Sequence, residues 1–500
     1  MTLRSPEAGR PADPRAFSPR DIVRSDLCIG CGGCVAGARA RAAGARMQMD
    51  PWGQLKPQGD VTWARTPDPD FSAICPFSPA AADEDALALE RFPAALHDDP
   101  RIGRFQSAWV GHVEEGDFRT VGSSGGMGNW TAAELLRTGL VDAVAHVGPV
   151  AAGDADAPRF AYRISRSAED LGGGAKSRYH PVELSAVLEE VRAVPGRYAV
   201  VGVPCFIKAV HLQRMRDPVL RERIAFTLGL FCGHMKSLRM AESFVWQMGA
   251  RLEEVDRFDY RLKDPGRPAN WYTAWAALRN GEERRRDWWN FADGDWGAGF
   301  FQNPACDWCD DVVAETADIA FGDAWVEPYS SDGRGTNVVV VRAPALDALL
   351  RAAVAEGRLA LTPVDADFIH QTQAAGFRHR REGLALRLTW PRFGRLRPRK
   401  RVDPRAAGLP LRRRAVYRMR AAIREGSHRL FRLARRTGRP GLYLGWARPT
   451  LAVYRALAWS YGPLGAWLDR AEALGRRLRI VQATSRTPAS SEATTARRGA

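Results

Sequence analysis

Eight cysteines constrain this 500-residue chain more than any other feature, because they fall into two sets of four. The first is Cys28, Cys31 and Cys34, each two residues from the next, with Cys75 followed directly by Pro76. Thiolates at this spacing on a turning, Gly-rich backbone (Ile29 to Gly33) can converge on three irons of one cubane, and the small residues let amides approach the cluster sulfides. A bacterial ferredoxin run carries another cysteine four residues past Cys34, where this chain has Ala38, so Cys75 is the natural fourth ligand. Tetrahedral zinc is the alternative, since four-cysteine zinc sites also use C-x-x-C pairs. The second set is Cys205, Cys232, Cys306 and Cys309. Cys205 sits at a strand-to-helix turn after Val203 and Pro204, Cys232 ends a strand through Leu228, and Cys306 and Cys309 share a loop. Two of the four thus stand at the carboxyl ends of neighbouring strands, where open α/β sheets place their sites. A second cluster is the reading here; two buried thiols beside a zinc half-site are the alternative. Disulfides are not expected in a reducing compartment.

The net charge of +16 suggests a nucleic-acid binder until it is divided by position. From Arg378 to Ala500 there are 31 Arg and Lys against 6 Asp and Glu, whereas the remainder has 42 against 51. The body is acidic and the tail carries all the excess. Arginine supplies 67 of the 73 basic residues, a skew that a GC-rich genome produces by itself, but codon bias does not segregate charge. In the tail, arginines come in bursts (395–401 and 412–420) interleaved with Leu, Tyr, Met and Phe at helical spacing. Leu442 to Leu468 is then apolar and aromatic, interrupted by Arg448, Arg455 and Pro463, so it is no bilayer span. Basic residues beside Trp and Tyr match a helix lying on an anionic membrane surface. A helical appendage packed on the body or a partner is the second reading, and a nucleic-acid interface the third, without a nucleic-acid fold signature.

Length and average composition predict several domains with real cores. Residues 1–20 read as a disordered leader with no apolar signal core, which places the chain in the cytoplasm with the tail as a candidate contact to the inner membrane face. Residues 21–100 form an N-terminal iron-sulfur segment ending in an Ala-rich linker helix (Ala80 to Ala95). Residues 101–376 alternate strands (107–113, 141–147, 197–203, 224–231, 317–325, 336–342) with helices (129–137, 180–193, 206–215, 344–356), which implies β-α-β units and an α/β core. The proline opening the last helix sits where a missing N–H costs nothing. Residues 377–483 form the Arg-rich helical extension, and 484–500 a disordered tail.

In their order, the N-terminal cysteines, Ser123–Met127 (Ser-Ser-Gly-Gly-Met), Val203–Cys205, Phe231–His234, and Cys306–Cys309 leading into Ala317–Trp325 resemble the coenzyme F420 hydrogenase/dehydrogenase beta-subunit family over about residues 20–375. That family includes formate dehydrogenase beta subunits and 7-hydroxymethyl chlorophyll a reductase. The resemblance implies a flavin-dependent iron-sulfur oxidoreductase: a ferredoxin-like iron-sulfur segment on an α/β flavin-binding core, with one or two 4Fe-4S clusters and FAD between cluster and substrate. It also implies a ferredoxin-like donor or a hydrogenase/dehydrogenase partner subunit. The chain reads Cys232-Gly233-His234 where the family usually has Cys-His-Gly, and Phe206 where a polar residue follows Pro-Cys; both departures separate the substrate from the resemblance.

For FAD, the loop Gly122–Gly128 running into a helix offers amides to a pyrophosphate, through Ser123, Ser124, Gly125, Gly126 and Met127. It is not a G-x-G-x-x-G fingerprint. Lys176, Ser177, Arg178 and Tyr179 align with a family stretch near the flavin, and Lys176 and Arg178 offset phosphate charge. His234 and Asp323 are the candidates for proton delivery, since reducing an organic substrate consumes protons. The function expected is an electron relay from the donor through the clusters to FAD and an organic substrate. A deazaflavin-linked hydrogenase or formate dehydrogenase subunit is the alternative within the class, and a zinc-structured, Arg-tailed nucleic-acid-binding protein the alternative outside it.

Overall fold

The computed structural model describes residues 13–38, 44–150 and 158–484. Its largest sheet contains β1 (Ser107–Val113), β2 (Ala143–Pro149), β3 (Phe160–Ser165), β4 (Tyr198–Gly202), β5 (Ile224–Leu230), β6 (Ile319–Asp323), β7 (Asn337–Val341) and β8 (Leu359–Pro363). Across the sheet the order is β8-β1-β7-β6-β5-β4-β2-β3. The run β6, β5, β4, β2 is parallel, and antiparallel strands flank it on both sides. Side chains alternate between the two faces. Ala143, Ala145, Tyr198 and Val200 pack with helices α2 (Ser185–Ala193) and α3 (Pro204–Arg216). Val144, Ala199, Leu228 and Phe321 pack with α1 (Met127–Arg137) and α5 (Pro344–Ala355). Helices on both faces explain why β7 reads Asn-Val-Val-Val-Val and is buried throughout.

These elements agree with the α/β expectation, and the departures have local causes. The helix expected over 180–193 begins only at Ser185. Pro181 disfavours helix at His180, which instead pairs through Nδ1 with the Tyr260 hydroxyl at 2.9 Å, and the Leu184 N–H is spent on Cys31 O. The linker helix shrinks to Glu84–Arg91, because Asp83 caps its start and Pro93 follows its last turn. The leader lies outside the described residues up to position 12, but beyond that it is not loose: Phe17 is buried and bridges Asp68, and Pro19–Arg24 is a helix capped by Ser18. The expected disordered end from 485 onward lies outside the described residues. Strands β3 and β8 were not expected; they are the two edges of the sheet and are half exposed, so their sequence pattern is weak.

The segment expected to be an N-terminal iron-sulfur domain is no separate unit, since Leu27, Ile29, Cys31 and Phe77 share one core with α2 and α3. A second lobe holds α4 (Leu238–Gln247) and a three-stranded sheet (Val255–Asp259, Thr273–Leu278, Glu283–Asp287). The tail closes that lobe with α6 (Leu411–Thr437) and α7 (Pro440–Trp459), followed by α8 (Gly462–Thr484). Val416, Ile423, Phe431 and Ala434 from α6 and Tyr443, Ala447, Leu451 and Tyr454 from α7 form one helical stripe each, buried against Phe291, Phe300 and Phe301. Among the described residues no helix is long and apolar enough to cross a membrane. Among the apolar residues of the tail that stay exposed are Trp459, Tyr461, Leu464 and Trp467.

Part of the tail's charge is spent on the body. Lys400 Nζ stands 2.9 Å from Asp310, Arg401 pairs with Asp310 and at 2.5 Å with Glu315, Arg381 lies 3.0 Å from Glu315, and Arg399 lies 2.7 Å from Asp83. All of these side chains are buried except Arg399, which is partly exposed. Although burial works against its charge, Lys400 and Arg401 hold the Asp310 carboxyl well below the usual range. Removing one partner of such a pair strands a buried charge, so Lys400→Met should cost about 3 kcal/mol in urea unfolding. Truncation after Gly376 should yield insoluble protein, because it strips the cover from Phe300 and Phe301; a soluble truncated body with native circular dichroism would contradict this account.

Candidate functional site

The second cysteine set assembles where the parallel strands end. Cys205 lies at the N-terminus of α3, directly after β4, and Cys232 lies two residues past β5, the parallel neighbour of β4. The loop before β6 delivers Cys306 and Cys309 from the 3-10 turn Pro304–Trp308, whose start Asn303 caps. Burial drives the Cys205 thiol pKa far up, and Cys309, Cys232 and Cys306 push it further, so the four stand together. Burial likewise raises Cys232 to about 11 and Cys306 to about 12. The Met235 amide donates to Cys306 Sγ at 3.2 Å.

The first set wraps around two glycines in the left-handed region, Gly30 (φ +85°) and Gly32 (φ +79°), where a side chain on Gly30 would meet Leu55 O at 2.6 Å. Cys75 is the C-cap of the helix Pro69–Ile74. Burial raises the Cys31 thiol, and Cys75 and Cys28 add to it; Cys34 responds to the other three in the same way. The amides of Gly33, Val35 and Phe77 work against the burial penalty at Cys31, Cys34 and Cys75 respectively. The core of the body holds this loop directly: Gln213 donates to Gly33 O at 2.7 Å and Arg192 to Ala36 O at 2.7 Å. One cysteine of each set, Cys31 and Cys205, lies in the same buried cluster, against which Tyr162 packs with its hydroxyl donating to Val201 O at 2.7 Å.

Among the described residues, no group of three or more His, Cys, Asp or Glu side chains stands in a geometry that would hold a single metal ion. The donor sets nevertheless fit iron-sulfur clusters: all eight cysteines are free thiols, both sets are enclosed, and backbone N–H groups already aim at the sulfurs.

The glycine loop fits a pyrophosphate less well. The Met127 N–H, first of α1, donates to Asn337 Oδ1 at 3.1 Å, and the Ser124 hydroxyl donates to Thr336 O at 3.0 Å. A side chain on Gly125 would lie 2.9 Å from Gly111 O, and Gly126 (φ +85°) would meet the Phe118 backbone. Close packing by itself demands both glycines, Gly125 on β1 and β7 and Gly126 on the turn at Phe118. The structure does bring the loop to the other expected flavin segment, since the Ser177 N–H donates to Ser123 Oγ at 2.8 Å. Lys176 sits 3.5 Å from Asp259, and Arg178 stacks over Phe160 at 4.7 Å with its Nε–H unpartnered. Tyr179 contacts Trp296 at 4.7 Å, and Trp296 stacks on His234 at 4.3 Å with a 17° angle. Trp296 was missed in the sequence because nothing but the fold places it beside both. Lys236 was missed for the same reason; its ammonium lies over Trp296 at 4.9 Å and donates to Phe300 O, and burial brings its pKa down to about 7.

His234 is buried, its Nε2 is unpartnered, and burial followed by Lys236 and Arg420 pushes its pKa well down, so it is a neutral imidazole rather than a stored proton. Asp323 accepts from Arg261 at 2.9 Å, which gives it a structural partner instead of a free acid's position. A groove lined by His97, Trp109, Arg351 and Asp365 opens near β1 and β8 and includes none of these residues.

Two family models match. The N-terminal model, described as "Coenzyme F420 hydrogenase/dehydrogenase, beta subunit N-term", spans residues 108–189, and the C-terminal model of the same subunit spans 196–367. Together they cover just over half of the chain. The chain belongs to the coenzyme F420 hydrogenase/dehydrogenase beta-subunit family. The family region of this beta-subunit relative contains the second cysteine set, both expected flavin segments, His234 and Asp323; Cys28 to Cys75 and the tail lie outside it. No curated protein matches the chain. Among solved structures, a chain of the F420-reducing [NiFe] hydrogenase complex from Methanosarcina barkeri is similar at 19% identity and a TM-score of 0.45, covering 59% of this chain and 95% of that chain.

Gly125→Val should lower the melting temperature of flavin-free protein, by roughly 1–3 kcal/mol of overpacking, whether or not flavin is ever added. An unchanged melt would mean that the loop is open and available to a ligand.

Proposed function

We propose that this beta-subunit relative is an oxidoreductase subunit that relays electrons between two 4Fe-4S clusters, one on each cysteine set, and a flavin lying along Lys176–Tyr179. The observation that carries the reading is that Cys31 of one set and Cys205 of the other lie in one buried core, with Tyr162 packed against it. Clusters of this kind pass single electrons, and a flavin joins them to two-electron chemistry. The chain's own part is to enclose the two sets, exclude water from them and aim amides at their sulfurs. Tyr179, Trp296 and His234 supply a continuous aromatic wall from the flavin segment to the second set, and Lys236 beside that wall is the group best placed to hold or give a proton near neutral pH. The family's description as a subunit favours a hydrogenase or dehydrogenase partner over a free ferredoxin-fed reductase. The zinc-structured nucleic-acid reading loses its support, since many of the tail's arginines pair with the body's carboxylates. The proposed compartment is a reducing one, where unpaired thiols load iron.

Anaerobically purified full-length protein should be brown, with a broad iron-sulfur band and flavin peaks. Cys75→Ser and Cys306→Ser should each remove up to about four irons per chain while leaving the other set's signal in place. A colourless, zinc-bearing protein overturns the reading, and iron unchanged in Cys306→Ser reduces it to one cluster. Tyr179→Ala should release flavin with both clusters retained; full flavin content in that variant removes the flavin from this segment.

A further inference from the structure

Arg380 is a buried tail residue that the ion-pair lattice does not explain. It sits in the π-helical turn Arg378–Glu382, 3% exposed, where its neighbour Arg381 pairs with Glu315. Arg380 instead donates from Nη2 to Gly233 O at 2.7 Å, the carbonyl of the residue that follows Cys232, and leaves its Nε–H without a partner. Among the described residues it forms no ion pair with a carboxylate. The carboxylate that most influences it, Asp311, is already engaged by the amides of Val313 and Glu315, each at 3.0 Å. What faces the guanidinium is sulfur. Burial opposes its charge, yet Cys309, Cys232 and Cys306, in that order, hold its pKa above the ordinary arginine value. The remaining charges nearby are of its own sign or can acquire it: Arg387, Arg420, Lys236, His234 and His379.

A buried guanidinium without an anion is strongly disfavoured, and four neutral thiols supply no negative charge. Four thiolates on an iron-sulfur cluster do. We propose that Arg380 is the counter-ion of the group bound by Cys205, Cys232, Cys306 and Cys309 and raises its reduction potential. The inference rests on reading that set as a cluster site. A positive charge in a weakly screening interior favours the reduced, more negative state, and hydrogen bonds to ligand sulfurs act in the same direction. The first set has its own cations: Lys56 Nζ donates to Cys28 O at 2.7 Å, and Lys208 near Cys75 is held by Glu84 at 3.2 Å. Arg380 therefore acts on the second set alone, and it does so from a segment beyond the family-matched region. It is a positioning residue, acting through charge on the ligand shell.

The test compares full-length, anaerobically purified parent with Arg380→Lys, Arg380→Gln and Arg380→Met, using iron and sulfide content, circular dichroism and spectroscopically monitored redox titration. Arg380→Lys keeps the charge and should retain iron and stay close to the parent's potential at the second set. Arg380→Gln and Arg380→Met should move that set's potential to more negative values or lose its iron, with the first set's signal unmoved. If the lysine variant behaves as the two neutral ones do, whether all remain intact or all collapse, charge is not the reason and the proposal falls. A parent whose iron content does not respond to Cys205→Ser or Cys306→Ser refutes the cluster reading itself, which is a different result from equal behaviour of the three Arg380 variants.

Discussion

The buried lattice joining Lys400, Arg401, Arg399 and Arg381 to Asp310, Glu315 and Asp83 is the interaction on which the rest of the structure depends. Asp310 directly follows Cys309, and Glu315 lies in the same loop before β6, so the lattice fixes the segment that delivers two of the second set's four sulfurs. Its acidic half comes from the body and its basic half from the tail. Neither half is stable when buried alone, because an unpaired interior charge carries its full desolvation penalty. The segregation of charge along the sequence is therefore the imprint of one interface within one chain.

The same interface changes the meaning of the arginine bursts. Arg424 reaches Asp307 at 3.1 Å, Arg435 reaches Glu242 at 2.9 Å and Arg455 reaches Asp295 at 3.3 Å, while the apolar stripes of α6 and α7 cover the second lobe. A helix rich in arginine and tyrosine at helical spacing satisfies both a headgroup plane and a protein surface that is acidic around an apolar patch. Periodicity alone does not distinguish the two.

The cysteine sets, by contrast, obey a local logic. Two-residue gaps with glycines at φ +85° and +79° turn the backbone around one point, and a parallel strand that ends at Gly202 leaves Pro204-Cys205, the start of α3, at the sheet's carboxyl edge. The glycine loop shows the limit of that logic. Gly125 and Gly126 have the composition of a phosphate cradle, but β7 lies against Gly125, the Phe118 backbone lies against Gly126, and Asn337 takes the Met127 amide. A glycine needed for ligand approach and a glycine needed for strand approach read the same in one dimension.

The sequence by itself determined the alternation of strands and helices, the pairing of eight cysteines into two sets, and the helical stripe of the tail, because each depends on spacing within a dozen residues or on residue types with narrow chemistry. Only the tertiary structure decided that Cys31 and Cys205 share one core, that Trp296 joins Tyr179 to His234, and that Asp323 belongs to Arg261. It also decided that the tail's arginines face carboxylates and, at Arg380, sulfur. These are contacts between segments tens to hundreds of residues apart, and the free energy of a buried charge or ring is set by the partner that folding brings to it.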